Sequence, residues 1–220
     1  MRPQNRFRRG FTLIEMLLVI AIIGVLTALI VSAATSAHIG PKIAVAQTEL
    51  AQMESAIEDY KLGLGFYPPD NSADPAINPL WFELLGTTIN GNNYVTLDRS
   101  GQISLTDLTH DFGRQGFANS ATRARATDDA GAPMSFLKNL TSKQVGPLDP
   151  ANPLINVLVC SVQLPTRSSS PISGTTLNPW CYVSSHPTHN TGSYDLWVDL
   201  VLGGKTYRIS NWSTQPEDNP

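Results

Sequence analysis

The sequence is poor in the features that mark catalytic and nucleotide-binding sites. No serine stands in a Gly-x-Ser-x-Gly context, which excludes a nucleophile elbow, and there is no glycine-rich phosphate loop. The histidine pair His186 and His189 has no Cys or acid cluster behind it at metal-ligand spacing. His110-Asp111 lacks a serine to complete a triad, so both places read as polar loops. Cysteine is nearly absent: Cys160 and Cys181, both in the last third, allow one pairing. A Cys160–Cys181 disulfide is expected in an oxidising compartment, the alternative being two buried thiols. Charged side chains make up only 15% of the 220 residues, and residues 16–37 contain none. The first ten residues contain no acid.

What is present is unevenly placed. Four of the fifteen basic residues (Arg2, Arg6, Arg8, Arg9) lie in the first ten positions, and the remainder carries 11 basic against 18 acidic side chains, a net charge of −7. An acidic body of this kind is no electrostatic match for nucleic acid, so no nucleic-acid partner is expected. Behind the arginines runs FTLIEMLLVIAIIGVLTALIVSAATSA. About 20 apolar residues suffice for a helix to cross the hydrocarbon core. The arginines predict that the N-terminal side stays cytoplasmic.

From Ile43 the pattern becomes amphipathic. Ile43, Ala46, Leu50, Met53, Ile57, Tyr60 and Leu64 are spaced three and four apart, which marks one helical face. Lys42, Gln47, Thr48, Glu49, Gln52, Glu54, Ser55, Glu58, Asp59 and Lys61 fall on the opposite face. One helix is therefore expected from near Phe11 to about Leu62, roughly 75–80 Å at 1.5 Å per residue. Gly40-Pro41 interrupts it, and a kink or short melted stretch is expected there, because proline lacks the amide hydrogen and crowds the preceding turn. Gly24 is a second weak point. Gly63 and Gly65, followed by Pro68-Pro69, supply the stop.

The remainder reads as a loop-rich head, since nearly all of the sixteen Gly and sixteen Pro lie beyond Gly63. Residues 70–93 are loop-like, with a short helix at 79–85. Another short helix is expected at 104–112, and 166–178 forms a Ser/Thr/Pro/Gly-rich loop. Residues 113–135 are polar and carry no clear pattern. Strand candidates are 155–163, 180–184, 193–202 and 205–212. Gly203-Gly204 between two alternating runs predicts a hairpin with a primed turn. Its register places Leu202 opposite Lys205, Leu200 opposite Tyr207, Val198 opposite Ile209 and Asp199 opposite Arg208. The sheet would bury one face against the amphipathic helix. Trp81, Trp180, Trp197 and Trp212 are scattered and read as packing residues.

The junction Arg8-Arg9-Gly10-Phe11-Thr12-Leu13-Ile14-Glu15 is the most informative stretch. An acid inside a membrane helix costs up to ~3.5 kcal/mol at the helix centre, so Glu15 needs a partner. Thr12-x-x-Glu15 as a plain capping box would account for it locally. An ordinary secretory signal, cut after Ser32-Ala33-Ala34 or Thr35-Ser36-Ala37, fits less well because the apolar run is too long. A twin-arginine signal is opposed by the strength of that run and by Glu15.

This junction resembles the class III signal of type IV pilins and type II secretion pseudopilins: basic leader, Gly, Phe, Thr, Leu, Ile/Val, Glu. The resemblance implies cleavage between Gly10 and Phe11 by a prepilin peptidase, then N-methylation of Phe11. It also implies an assembly role for Glu15, paired with the N-terminal ammonium of a neighbouring subunit. Asp59-Tyr60-Lys61-Leu62 through Gly65-Phe66-Tyr67-Pro68 is similar to the helix end of major pseudopilins. Gly192-Ser193-Tyr194-Asp195-Leu196-Trp197 and Ile209-Ser210-Asn211-Trp212 echo the same group. That group binds calcium through acids near its C-terminal hairpin. Only Asp195 and Asp199 stand there in this chain, and Asp199 is already assigned to Arg208. No cofactor or metal is therefore expected, calcium being the one candidate.

The expectation is thus an α+β, pilin-like chain with a long N-terminal helix packed on a small antiparallel β-sheet head. Residues 1–10 form a leader, 11–40 a transmembrane or filament-core half, 41–63 an amphipathic half and 64–220 a periplasmic head. As a resemblance it implies a non-enzymatic filament subunit held in the bacterial inner membrane by a single pass. Its partners would be identical and related pilin subunits, the prepilin peptidase and an inner-membrane assembly platform. The function the resemblance implies is that of a structural subunit of a type II secretion pseudopilus, the alternatives being a type IV or DNA-uptake pilin and, from another class, a membrane-tethered periplasmic binding module.

Overall fold

The computed structural model describes residues 12–122 and 131–220, with the side chains of 29–37 excepted. The leader and the Gly10-Phe11 junction therefore lie outside the described residues. The chain forms two compact units, Met1–Pro41 and Lys42–Pro220.

Helix α1 spans Leu13–Leu64 and enters both units. Its end is where the glycines predict: the Gly65 amide donates to the Lys61 carbonyl at 2.8 Å, and Gly65 turns away at φ +88°. The helix is unbroken at Gly40 and Pro41, so the melted stretch expected there is absent. A proline removes only one i→i−4 hydrogen bond, and the turns on either side keep theirs.

In the second unit, α1 turns Ala46, Leu50, Met53, Ala56, Ile57 and Tyr60 inward, the face that the three-four spacing marks. One expectation for this segment fails. Glu49, expected on the polar face, is buried, and its Oε2 accepts from the Ser161 amide at 3.1 Å. A carboxylate next to a buried helical face is tolerated where an amide reaches it.

Three sheets complete the head. The first joins β1 (Thr87–Asn90), β2 (Asn93–Thr96), β3 (Gln102–Ser104) and β4 (Ser120–Thr122) in the order β3-β2-β1-β4, with β1 and β4 parallel. The second joins β5 (Val145–Asp149), β6 (Asn152–Cys160) and β7 (Asn178–Pro179). The third joins β8 (Cys181–Val183), β9 (Asp195–Leu202), β10 (Lys205–Ser210) and β11 (Ser213–Asp218) in the order β11-β10-β9-β8, all antiparallel. Two short helices, α2 (Leu80–Leu85) and α3 (Leu105–Phe112), fall where expected. Ser104 caps α3 by accepting from the Asp107 amide, and Gly113 ends it at φ +63°.

The β9–β10 hairpin has the predicted register, Leu202↔Lys205, Leu200↔Tyr207, Asp199↔Arg208 and Val198↔Ile209. Gly203 and Gly204 sit at φ +61° and +82°, as a primed turn requires. The alternation of β9 buries Leu196, Val198, Leu200 and Leu202. The first sheet was not legible. Residues 70–93, read as loop, contain β1, and β4 lies within the uncalled 113–135. The reading of 166–178 as loop holds up to β7.

The two cysteines are free, which corrects the expected disulfide. Cys160 pairs with Asn178 across β6–β7, three residues before Cys181. Cys181 lies beyond the end of β7, in β8 of the third sheet, where it pairs with Trp197. Burial pushes both thiols up, Cys181 to about 12.

Candidate functional site

The first candidate site is the start of α1. Thr12 and Glu15 close a capping box: Glu15 Oε2 accepts from the Thr12 amide and from Thr12 Oγ1, each at 2.9 Å, and the Glu15 amide donates to Thr12 Oγ1 at 3.3 Å. The local capping reading of Glu15 is therefore present in the structure. Beyond it the helix exposes apolar side chains on all sides, among them Leu13, Ile14, Leu17, Leu18, Ile20, Ile23 and Val25. An exposed apolar surface of this extent marks a site of contact with protein or lipid. Among the described residues no helix is long and apolar enough to cross a membrane. The side chains described on this half of α1 end at residue 28, short of the ~20 apolar residues a span needs.

The second candidate site is the place where α1 leaves into the head. The Lys61 ammonium lies 3.8 Å over the ring of Tyr67, whose hydroxyl donates to Glu58 Oε1 at 3.3 Å. Pro68 presents its carbonyl to the hydroxyls of Tyr182 and Ser184, both at 2.8 Å. Asp70 Oδ2 accepts from the amides of Ser184 and Ser185 and from Ser185 Oγ. These bonds fix the exit segment to the end of β8.

The three sequence segments that carry the pseudopilin resemblance meet here. Tyr67 packs edge-on against Tyr194 at 5.0 Å, and Ser193 Oγ donates to the Tyr67 hydroxyl at 3.2 Å. Asn211 closes the group: its Nδ2 donates to the Tyr194 carbonyl at 3.0 Å, and its Oδ1 accepts from the Leu196 amide at 3.0 Å. Tyr194 is buried, which pushes its hydroxyl above the usual tyrosine range, with the Glu54 and Glu58 carboxylates adding to the shift.

Glu83, which the sequence reading did not single out, anchors the other side of α1. It is fully buried and accepts from the Tyr60 hydroxyl (2.9 Å), the Ala118 amide (2.8 Å) and the Asn119 amide (2.9 Å). Asn119 in turn donates to the carbonyls of Glu83 and Met134. Burial raises the Glu83 carboxyl, and the three hydrogen bonds together with Arg114 only partly offset it. An acid in an apolar helix such as LWFELL is the one signal that could have flagged it, since such an acid is unstable without donors.

The remaining candidates take polar roles. His110 Nδ1 lies 2.7 Å from Asp111 Oδ1 at an exposed place on α3. His189 stacks on Trp212, ring centroids 3.9 Å apart, with Nδ1 3.3 Å from Asp195 Oδ2. Asp199 forms a two-point ion pair with Arg208, both contacts at 2.8 Å, as the hairpin register predicts. Among the described residues no three His, Cys, Asp or Glu side chains gather as a metal would need.

The long helix, the largely antiparallel sheets and the RRG-FTLIE sequence are the features that pilin-like prepilins share. Residues 5–31 match the family described as the prokaryotic N-terminal methylation motif. Among curated relatives, a stretch of 65 residues is 38% identical to the type II secretion system core protein G of Pseudomonas aeruginosa, covering 30% of this chain and 46% of that protein. A stretch of 69 residues is 35% identical to the type IV major pilin protein PilE of Neisseria gonorrhoeae, covering 31% of this chain and 41% of that protein. The chain thus spans less than half the length of the curated relatives it matches. No solved structure matches it. Over these parts of its length the chain carries an N-terminal methylation motif and is similar to a pseudopilin and to a pilin.

Proposed function

We propose that this chain is a structural subunit of a type II secretion pseudopilus, a short filament that promotes protein export. The observation that carries the reading is the meeting of Tyr67, Pro68, Ser193, Tyr194 and Asn211, the segments whose resemblance points to major pseudopilins, around the end of α1. The similarity to core protein G supports it. A second reading, a type IV pilus subunit, is supported by the comparable similarity to PilE.

In either reading a prepilin peptidase cuts between Gly10 and Phe11, and Phe11 is then N-methylated. Residues 11–40 hold the subunit in the inner membrane, N-terminus cytoplasmic and head periplasmic, until an assembly platform extracts it. Filament packing replaces lipid around Leu13, Ile14, Leu17 and their neighbours with the helices of other subunits. Glu15 exchanges its own cap for the N-terminal ammonium of a neighbour. Each group is costly to leave bare in an apolar surrounding, and they satisfy each other only when subunits stack in register. Gly40 and Pro41, where a backbone bond is already missing, let the helix bend or extend. The role is structural rather than catalytic.

Deletion of the gene in its own host separates the readings. Loss of exported enzymes with surface pili intact supports the pseudopilus. Loss of surface pili with secretion intact overturns it in favour of the pilus.

A further inference from the structure

The loop between β8 and β9 closes on a carboxylate. Asp195 is buried, and three successive backbone amides point at it. Thr188 donates to Oδ2 at 2.7 Å, His189 to Oδ2 at 3.0 Å and Asn190 to Oδ1 at 2.8 Å. Thr188 Oγ1 adds a contact to Oδ2 at 3.2 Å. Consecutive amides that converge in this way form a nest, a concavity of positive dipole that takes an anion. The loop is further held by the stack of His189 on Trp212 and by Asn190 Nδ2, which donates to the Tyr194 carbonyl at 3.1 Å.

The resemblance to major pseudopilins implies calcium near this hairpin, and the donor set around Asp195 does not fit that ion. Calcium takes six to eight oxygens. Around Asp195 the chain presents N–H groups, whose dipoles repel a cation. The other acids of the C-terminal region are engaged as well. Asp199 is paired with Arg208, Glu217 Oε1 accepts from Trp212 Nε1 at 3.1 Å, and Asp218 lies 3.9 Å from the Lys205 ammonium.

We propose that the Asp195 carboxylate is a built-in anion that holds the β8–β9 loop in place of a calcium ion, so that this end of the head folds without metal. The nest lies wholly within this chain, so the inference does not depend on whether the filament is a pseudopilus or a pilus. It makes two demands. The wild type is indifferent to calcium, and emptying the nest creates a site for a small carboxylate.

The test uses the full chain in detergent, with thermal unfolding followed by tryptophan fluorescence. Wild-type Tm is the same in excess chelator and in about 1 mM calcium, the concentration at which weak extracellular sites fill. Asp195→Ala lowers Tm by several degrees, about 2–4 °C for each kcal/mol lost in a chain of this size. Formate at ~0.1 M restores part of that loss in Asp195→Ala by binding the folded state, and leaves the wild type unmoved. Calcium restores none of it. Asp195→Asn, which keeps one acceptor oxygen and fills the space, falls between the two and ignores formate. A wild-type Tm that rises with calcium or drops with chelator overturns the proposal, whether or not Asp195→Ala folds. So does a folded Asp195→Ala that formate does not stabilise.

Discussion

Glu83 shows how one side chain can decide whether a helix stays seated. Its carboxylate receives the Tyr60 hydroxyl from α1 and two amides from the segment leading into β4. In Glu83→Gln the side-chain NH2 faces those donors, and at least one is left unpaired. Such a loss costs about 1–3 kcal/mol, read as a lower urea midpoint. The pH dependence has a definite sign. The folded carboxyl is raised above its ordinary 4.5, so the folded state holds the proton more tightly. The stabilisation from that proton is complete below pH 4.5 and is lost as pH rises through the folded value. The destabilisation of Glu83→Gln relative to wild type is therefore expected to be largest below pH 4.5 and to shrink toward neutrality. Urea midpoints of both proteins across that range check it.

Glu15 has an observed role as a cap and, as proposed, a second role in assembly. Its capping box satisfies it in the isolated chain, and a cap of this kind is worth ~1 kcal/mol. Glu15→Ala should still be cut after Gly10 but be excluded from filaments, with processed protein accumulating in the membrane fraction. Normal filament incorporation of that variant, measured by shearing and immunoblot, would remove the assembly role and leave the cap.

Among the elements, the β9–β10 hairpin is the most fully specified by its own residues. Gly203-Gly204 supplies two positive φ angles, and the alternation from Asp195 to Leu202 fixes the buried face. A Cβ on Gly204 would meet nothing within 4 Å, so Gly204→Ala isolates the backbone term. About 1 kcal/mol of destabilisation is expected from an L-residue held at φ +82°. In α1, Met53 is fully buried, and Met53→Ala should cost ~2–5 kcal/mol through lost contacts and an unfilled cavity. The helix also shows the limit of local rules, since Gly40-Pro41 predicts a kink or a short melted stretch and no melted stretch forms. Neighbouring turns supply enough hydrogen bonding to carry a single missing amide.

At the scale of the whole molecule, the two compact units have opposite surfaces. One exposes apolar side chains along α1 and the other buries them in a head of three sheets. The exposed apolar surface of the first fits the proposed passage from lipid to a filament core, where other apolar groups would cover it in both places. Intact-mass analysis of protein extracted from membranes is expected to show a chain that begins at Phe11 and is heavier by one methyl group. A chain that retains residues 1–10 in the filament would contradict the processing reading.

The sequence by itself determined the N-terminal class, the inward face of α1 and the register of the hairpin. Each is a local pattern, readable because residues close in the chain stay close in space. Only the tertiary structure decided the fate of the cysteines, the burial of Glu49 and Glu83, and the first sheet. Cys160 and Cys181 fall in different sheets, Cys160 opposite Asn178 and Cys181 opposite Trp197, which no spacing in the sequence reveals. Glu83 is stable in the core only because amides at Ala118 and Asn119, more than thirty residues away, reach it. The same holds for the two aromatic motifs of the resemblance. The sequence displayed them at opposite ends of the head, and only folding brought Tyr67 against Tyr194, where the Ser193 hydroxyl donates to Tyr67 and the rings meet edge-on.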